Sequence, residues 1–170
     1  PQQWGTERPF AHGQFETPDG KARFVPTKAK LEQDIQSLKF TLNTGRIRDQ
    51  WHTMTRTGLV PKLFGHRAEP YVELHSADAN QLGLKDADLV TIDNGSVVRL
   101  LVSDSVAQGE LFQPMHWSTP FASAPLANSA TRGVVDPISG QPALKSARVF
   151  LEKYPAQWFG FGVAKVAARL

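Results

Sequence analysis

Residues 88–102 read DLVTIDNGSVVRLLV, two apolar runs on either side of a short polar interruption. The alternation of apolar and polar side chains predicts a strand at residues 88–93, and the second apolar run predicts another at residues 97–102. Between them lies Asn94-Gly95, a dipeptide that adopts the positive φ angles of tight hairpin turns. These residues therefore predict an antiparallel β-hairpin.

Short strands are also predicted on both sides of this hairpin. Their apolar runs occupy residues 38–42, 71–75, 109–113 and 146–153. One short helix is predicted at residues 77–82, because Ser76 is a good N-cap and Gly83 supplies a left-handed stop. Many short strands with few helices indicate a mainly β fold, a β-barrel with short α insertions.

The ends of the chain have a different character. In the N-terminal arm, Thr17-Pro18-Asp19-Gly20 predicts a turn, and Phe15 and residues 22–25 on either side of it predict a short hairpin. A polar linker or one or two helical turns should then lead into the barrel. The predicted division is an arm and linker at residues 1–37, the barrel at 38–154 and a tail at 155–170.

The polar stretch after the first predicted strand is the strongest candidate for a binding loop. Residues 42–58 read LNTGRIRDQWHTMTRTG, which combines cations, hydroxyls and two aromatic rings. Gly45 would allow a positive φ that turns N–H groups outward, and Arg46 offers a planar fork suited to phosphate or carboxylate. The alternative is a surface loop in which Trp51 fills the core and the charges are solvated. Polar loops at strand ends are where binding sites occur, so we expect a large anionic, partly aromatic ligand.

A second polar region, between the last two strands, offers further candidate ligand contacts. They are His116, Trp117, Ser118, Asn128 and Lys145. An exposed Trp117 would stack on a ligand ring, and the other side chains supply hydrogen bonds and a cation. In the alternative interpretation Trp117 is packed, Asn128 caps a helix and Lys145 is solvated. The residue pattern leaves both interpretations open.

Composition narrows the class of protein. At 170 residues, with 41% hydrophobic and 21% charged residues, the chain is typical of a soluble globular domain. It has no apolar run near the roughly 18 residues of a membrane span. It has no cysteine, hence no disulfide, thiolate zinc site or iron–sulfur ligand. A net charge of +3 favours an anionic partner, but the scattered basic residues do not predict nucleic-acid binding.

Two catalytic arrangements are disfavoured by spacing. His52, His75 and His116 are far apart in sequence and lack the spacing of a metal site. Ser118 with His116 and Asp104 lacks the nucleophile elbow of a hydrolase. The candidate loops are therefore interpreted as binding loops.

Several motifs resemble those of one known protein family. They are Leu42 to Arg46, Gln50 to Thr53 with Thr55-Arg56, Glu73 to His75 with Asp78-Ala79, Leu82 to Leu84, Asn128, Asp136-Pro137, Ser139 to Pro142, and Lys145. In these motifs the chain resembles the C-terminal molybdopterin-dinucleotide-binding domain of the molybdenum oxidoreductases related to dimethyl sulfoxide reductase. The resemblance is greatest to bacterial assimilatory nitrate reductases and extends from about Trp4 to Tyr154.

The resemblance implies a six-stranded double-psi β-barrel that clamps bis(molybdopterin guanine dinucleotide) with its molybdenum. The residues that it implies as cofactor contacts are Thr44, Gly45, Arg46, Trp51, His52, Thr53, Thr55, His116, Trp117, Ser118, Asn128 and Lys145. Residues 44–46 would meet the pterin–pyrophosphate part, and a pterin would be reached by Trp51, His52, Thr53 and Thr55. Residues 116–118 would line the second loop, with Asn128 and Lys145 closing the pocket. No catalytic residue and no metal ligand is implied in this chain.

The resemblance also implies a role within a larger enzyme. The chain would be a C-terminal piece of a cytoplasmic nitrate reductase, inactive alone, whose other domains carry the molybdenum ligand and an iron–sulfur cluster. The expected partners are the cofactor and those domains, with no nucleic acid and no membrane. Two alternatives remain: the same domain from a formate dehydrogenase or another oxyanion reductase, and a double-psi barrel used as a protein-interaction module.

Overall fold

The computed structural model describes residues 8–26, 40–93, 95–123, 127–131, 133–158 and 160. The chain divides into two compact units, Pro1–Asp34 and Ile35–Leu170. The predicted linker at residues 28–37 and most of the predicted tail lie outside the described residues. The division at residues 37 and 154 stays a prediction.

In the first unit, the predicted turn is present. The Gly20 N–H donates to the Thr17 carbonyl over 2.9 Å, and the Asp19 carboxylate accepts from the Thr17 hydroxyl at 3.1 Å. Residues 8–26 contain no strand, so the predicted hairpin is wrong. Residues 22–25 are exposed in this unit, and without a packed apolar face they have little to hold them as a strand.

The second unit consists mainly of short strands. Its strands are β1 (Phe40–Gly45), β2 (Tyr71–Leu74), β3 (Leu89–Ile92), β4 (Val97–Val102), β5 (Glu110–Pro114), β6 (Lys145–Val149) and β7 (Leu151–Lys153). One α-helix, α1 (Ser76–Gln81), follows β2. The described part also has 3₁₀ helices at Thr57–Leu59, Pro61–Phe64 and Ala127–Ala130. None of its helices is long and apolar enough to cross a membrane.

The strands form one sheet in the order β6-β1-β5-β2-β4-β3-β7. The pairs β1–β5 and β2–β4 are parallel, and the other neighbours are antiparallel. The two outer strands, β6 and β7, are separated only by Phe150, so they form two halves of one interrupted strand that brings the sheet edges together. The sheet is thus a nearly closed barrel, which confirms the predicted fold class.

The number of strands differs from the six expected, and the difference arises at Phe150. The single strand predicted at residues 146–153 is divided there, because the Phe150 N–H donates to the Asp93 carboxylate. The two halves then pair with different neighbours, β6 with β1 and β7 with β3. Seven strands of the described residues therefore build the barrel.

The hairpin predicted at residues 88–102 is confirmed. Strands β3 and β4 are antiparallel, with Val90 opposite Val98, and Gly95 in the turn has a φ of +80°. The helix after β2 is also present, but its predicted cap is wrong. His75, and not Ser76, is the N-cap, since its Nδ1 accepts from the Ala77 N–H at 3.0 Å. The Ser76 hydroxyl instead donates to Asp104 at 2.5 Å.

Buried side chains form two separate clusters. The larger cluster fills the barrel with aliphatic residues from the strands and α1, among them Leu42, Leu74, Leu100 and Leu111. The smaller cluster consists of Met54, Tyr71 and Trp117, with partly buried neighbours that include Ile47 and Phe121. The smaller cluster contains residues from the two candidate binding regions and fixes them beside the barrel.

Candidate functional site

The first two candidate residues lie on a strand. β1 continues three residues beyond the predicted end at Leu42 and includes Thr44 and Gly45. Thr44 is buried, and its hydroxyl donates to the Leu144 carbonyl at 2.9 Å. The expected positive φ at Gly45 is wrong. Glycine instead leaves space there, because a Cβ atom would lie 2.6 Å from Cε2 of Phe112 on β5 and the ring would have to shift.

The segment after β1 is a folded loop held by its own hydrogen bonds. The Met54 N–H donates to the Trp51 carbonyl at 2.9 Å, and the Gly58 N–H donates to the Met54 carbonyl at 2.8 Å. His52 and Met54 have positive φ angles of 44° and 61°, which non-glycine residues seldom adopt. The Met54 side chain is fully buried in the smaller cluster. Local bonds and one apolar anchor thus give the loop a defined shape.

Five of the residues that the resemblance implies as cofactor contacts are exposed in this loop or next to it. They are Arg46, Trp51, His52, Thr53 and Thr55. Trp51 is 58% exposed, so the alternative in which it fills the core is wrong. The Arg46 guanidinium carbon lies 5.5 Å from the centroid of the Trp51 ring, and the His52 ring meets that ring edge-on at 4.7 Å. A cation and two rings therefore stand together at the surface.

His116 and Trp117, in contrast, lie inside the domain. Trp117 is 3% exposed and meets Tyr71 edge-on at 6.4 Å between ring centroids. Its side chain therefore has no open face on which a ligand ring could stack. His116 is fully buried. These side chains support the loop from within.

His116 joins the end of β5 to the loop after β1. Its Nε2 accepts from the Ile47 N–H at 2.9 Å, and its Nδ1 lies 2.7 Å from the His52 carbonyl oxygen. Burial lowers the pKa of His116 below its usual value of 6.5, and the charge of Arg46 acts in the same direction. The ring is therefore neutral at physiological pH.

Ser118 makes a further connection to the loop. Its side chain is half-buried, and its hydroxyl donates to the Thr53 carbonyl at 3.2 Å. In the same region, the Met115 N–H donates to the Gly45 carbonyl at 2.9 Å. Residues 115–118 thus follow the loop along its length.

Lys145, the first residue of β6, reaches the end of β1. Its ammonium donates to the Asn43 side-chain oxygen at 2.8 Å and to the Thr44 carbonyl. The residue is exposed, so its charge stands at the surface beside these contacts. Lys145 is therefore brought close to the segment that carries Arg46.

Asn128 lies on the 3₁₀ helix Ala127–Ala130 and is exposed. Its backbone carbonyl accepts from both the N–H and the hydroxyl of Thr131, at 3.1 and 2.7 Å. Ala130 of the same helix packs against the barrel core. The helix is thus attached to the barrel, and the role of Asn128 as a ligand contact stays a prediction.

Charge is distributed unevenly around the loop. Arg48 forms a two-pronged ion pair with Asp49, at 2.8 and 3.1 Å, and His66 lies 3.2 Å from the same carboxylate. The pKa of Asp49 is lowered, chiefly by the hydrogen bond from Arg48. Arg48 is thus committed to Asp49, whereas the Arg46 guanidinium stands over the Trp51 ring.

The structure brings most of the candidate residues together at one end of β1. We call the exposed members of this group the rim, defined as Arg46, Trp51, His52, Thr53, Thr55 and Lys145. Thr44, Gly45, His116, Trp117 and Ser118 lie behind or beneath the rim and fix its shape. Cations, hydroxyls and an aromatic face suit a polyanionic ligand with a flat ring.

Two kinds of supporting residue were not predicted from the sequence. Met54 anchors the loop, and the only signal for it was one apolar side chain in a polar stretch. Gln50 and Gln113 are buried, and their amide oxygens have no partner among the described residues. Nothing in the local pattern separates a buried glutamine from a solvated one.

Comparison with known proteins identifies the domain. A family model described as "Molydopterin dinucleotide binding domain" matches residues 40–148. A nitrate reductase of Klebsiella oxytoca is 40% identical over 147 residues, which cover 84% of this chain and 17% of that protein. A nitrate reductase of Shewanella frigidimarina (strain NCIMB 400) is 36% identical over 168 residues, covering 85% of this chain and 18% of that protein.

A solved structure shares the fold. Acetylene hydratase from Pelobacter acetylenicus superposes with a TM-score of 0.54 at 16% identity, over 68% of this chain and 18% of that one. The chain spans less than a fifth of the length of the two nitrate reductases that it matches. The match at residues 40–148 begins with β1 and ends within β6, so it includes the rim. The chain therefore belongs to the molybdopterin dinucleotide-binding domain family, as a domain of nitrate reductase-like proteins.

Proposed function

We propose that the rim holds bis(molybdopterin guanine dinucleotide), with its molybdenum, in a larger cytoplasmic enzyme that reduces nitrate to nitrite. The observation that carries this proposal is the convergence of Arg46, Trp51 and Lys145 at one end of β1. The nitrate reductases that match most of this chain support the choice of substrate. This domain would act as one side of a clamp.

The chemistry of the rim fits the proposed cofactor. A dinucleotide carries pyrophosphate charge, and Arg46 and Lys145 are exposed cations 99 residues apart in sequence that the fold brings to one strand end. A pterin is flat and presents hydrogen-bonding edges, for which Trp51 offers an exposed ring and Thr53 and Thr55 offer exposed hydroxyls. The residues present therefore suit both halves of the ligand.

Each member of the rim has a separate task in this proposal. Arg46 and Lys145 neutralise phosphate charge, while Trp51 and His52 cover the ring system. The buried residues behind them, His116 and Trp117, keep these groups in place. The residues of this domain orient the cofactor and exclude water from one side of it.

The bound cofactor would supply the oxygen-atom transfer chemistry at molybdenum. The remaining domains of the parent enzyme would supply the ligand to molybdenum and an iron–sulfur cluster. This chain alone would then be inactive towards nitrate. A purified sample that reduced nitrate with an artificial electron donor would contradict that part of the proposal.

Charge removal at the rim tests the proposal in the full-length enzyme. Arg46→Ala and Lys145→Ala should each lower the pterin and molybdenum content of the purified enzyme. The loss of one charged hydrogen bond, about 1.5–3 kcal/mol, corresponds to roughly tenfold or more weaker binding. Lys85→Ala is the matched control, because Lys85 is an exposed cation between α1 and β3, outside the rim.

Content of pterin and metal is measured by fluorescence after oxidation and by mass spectrometry. Retention of wild-type pterin in both rim variants would overturn the assignment of the rim. Identification of the released nucleotide tests the guanine form, since adenine or cytosine nucleotide would contradict it. Assays with nitrate, formate and other oxyanions then separate the proposed substrate from its alternatives.

A further inference from the structure

His116 is held by two hydrogen bonds that leave no choice of tautomer. The Ile47 N–H is a donor only, so Nε2 must carry a lone pair to accept from it at 2.9 Å. The His52 carbonyl is an acceptor only, so Nδ1 must carry the proton that bridges their 2.7 Å separation. The ring is fully buried, which excludes water as a substitute partner. A single neutral tautomer therefore satisfies the site.

The two partners of His116 lie next to two members of the rim in the sequence. Ile47 follows Arg46 directly, and His52 follows Trp51 directly. One imidazole thus ties both ends of residues 47–52 to the end of β5, across 69 and 64 positions of the sequence. Beside these two ties, the Arg46 guanidinium carbon lies 5.5 Å from the Trp51 ring centroid.

The backbone of the loop needs such a tie. His52 has a φ of +44°, a conformation that non-glycine residues hold only when their surroundings enforce it. The hydrogen bond from His116 to the His52 carbonyl acts at that residue, and Met54, with a φ of +61°, is anchored two residues later in the smaller cluster. Without the imidazole, Met54 keeps its anchor and His52 loses this hydrogen bond.

We propose that His116 is a positioning residue that holds residues 47–52 in the shape that presents Arg46 and Trp51 to the molybdopterin dinucleotide. It acts through the backbone of Ile47 and His52, and its side chain does not touch the ligand. The part of this inference that concerns the ligand rests on the proposed function. The part that concerns the loop does not.

The loop can be tested without the cofactor. In ¹⁵N spectra of this chain, His116 should show the Nδ1–H tautomer, with a bare Nε2. The Ile47 amide should exchange slowly, and in His116→Phe its exchange should be about tenfold faster or more, because the imidazole acceptor is gone. An Nε2–H tautomer, or unchanged exchange at Ile47 in the variant, would overturn the inference.

Two further variants separate the two bonds and guard against a variant that fails to fold. Asn at 116 places an amide donor near the position of Nδ1, so His116→Asn should keep the bond to the His52 carbonyl. Gln at 116 places an amide oxygen near the position of Nε2, so His116→Gln should keep the protection of the Ile47 amide. If both variants fold and the Ile47 amide exchanges equally fast in them, the assigned geometry is wrong.

Cofactor retention tests the link to the ligand. In the full-length enzyme, His116→Phe should lower pterin content about tenfold, with partial rescue in the Asn and Gln variants. If the wild-type enzyme itself contains no pterin, the proposed function fails and the loop result still stands. If wild type and His116→Phe contain equal pterin, the positioning role fails while the proposed function survives.

A pH profile distinguishes positioning from a general loss of stability. Protonation of Nε2 would remove the acceptor of the Ile47 N–H. It would also place a positive charge near Arg46 and His52, the titratable groups whose charges act on this ring. Protection of the Ile47 amide, corrected for intrinsic exchange, should therefore be constant above pH 6.5 and fall as the solution is acidified below it. His116→Gln, which has no proton to gain in this range, should abolish the fall. The same fall in His116→Gln would overturn the role given to the imidazole.

Discussion

At the scale of single residues, small differences in side-chain volume decide how the end of β1 is built. Gly45 lies against the Phe112 ring, and Gly58 lies against the Phe121 ring, where an added Cβ would be 2.5 Å from Cε1. Neither glycine has a positive φ. At both positions an aromatic ring occupies the space in which a side chain would begin.

A substitution at Gly45 should therefore cost stability. Gly45→Ala forces the Phe112 ring to move, and overpacking of this kind costs about 1–3 kcal/mol in the free energy of unfolding. Gly133→Ala is the control, since a Cβ there meets nothing within 4 Å and no positive φ is involved. Urea unfolding of both variants, with Gly45→Ala/Phe112→Leu as a rescue, measures the effect. Equal stability of the two single variants would show that the ring yields freely.

At the scale of elements, the loop after β1 is held by the smaller cluster and the barrel by the larger one. Met54 is the only residue of the loop in that smaller buried core, together with Tyr71 of β2 and Trp117 after β5. The loop and the barrel are thus held by different sets of buried residues.

Truncation of Met54 should release the loop. Met54→Ala removes a fully buried side chain, and such truncations cost about 2–5 kcal/mol in unfolding free energy. Limited trypsin cleavage after Arg48 and Arg56 should become faster. Leu59→Ala is the control, because the Leu59 side chain is 75% exposed, and its free energy of unfolding should change by no more than about 0.5 kcal/mol. Similar cleavage rates in the two variants would contradict the anchoring role of Met54.

The turn before β6 is a second element whose stability depends on one side chain. The Asp136 carboxylate accepts from the N–H groups of Ile138 and Ser139, at 3.0 and 2.8 Å, and from the Ser139 hydroxyl at 3.0 Å. These bonds lower the pKa of Asp136 below its usual value of 3.8. The turn leads towards Lys145, so its order bears on the rim.

This lowered pKa fixes the direction of the pH dependence. The stabilisation is present above pH 3.8 and is lost as the pH falls through the lower pKa of the folded turn. Amide shifts of Ile138 and Ser139 should therefore change together in strong acid. In Asp136→Asn, which keeps an acceptor but does not titrate, that transition should vanish. A transition of equal size in the Asn variant would assign it to another group.

At the scale of the whole molecule, the sequence predicts what local chemistry determines. The hairpin at residues 88–102 was predictable because both the strand alternation and the Asn-Gly turn are local signals. The resemblance indicated the barrel class, and the match at residues 40–148 and the sheet confirm it. The local sequence around Phe150 could not show that the last strand is interrupted there. The hydrogen-bond partner of Phe150, Asp93, is 57 positions away.

The candidate site was only partly predictable for the same reason. Trp51 and Trp117 lie in similarly polar stretches, yet one is 58% exposed and the other 3%. Tertiary packing against Tyr71 decides between them, and no periodicity reports it. The structure therefore divides the predicted contacts into an exposed rim and a buried support, a division that the sequence did not indicate.

The most direct test of the rim is the structure of the full-length enzyme with its molybdopterin cofactor bound. We expect phosphate oxygens of the dinucleotide within about 3 Å of the Arg46 guanidinium or the Lys145 ammonium, at charge-assisted hydrogen-bond distance. We also expect His116 to be buried behind them and bonded to Ile47 and His52, as in the structure of this chain. A cofactor bound at another face of the barrel, with Arg46, Trp51 and Lys145 all in solvent, would contradict the proposed role of the rim.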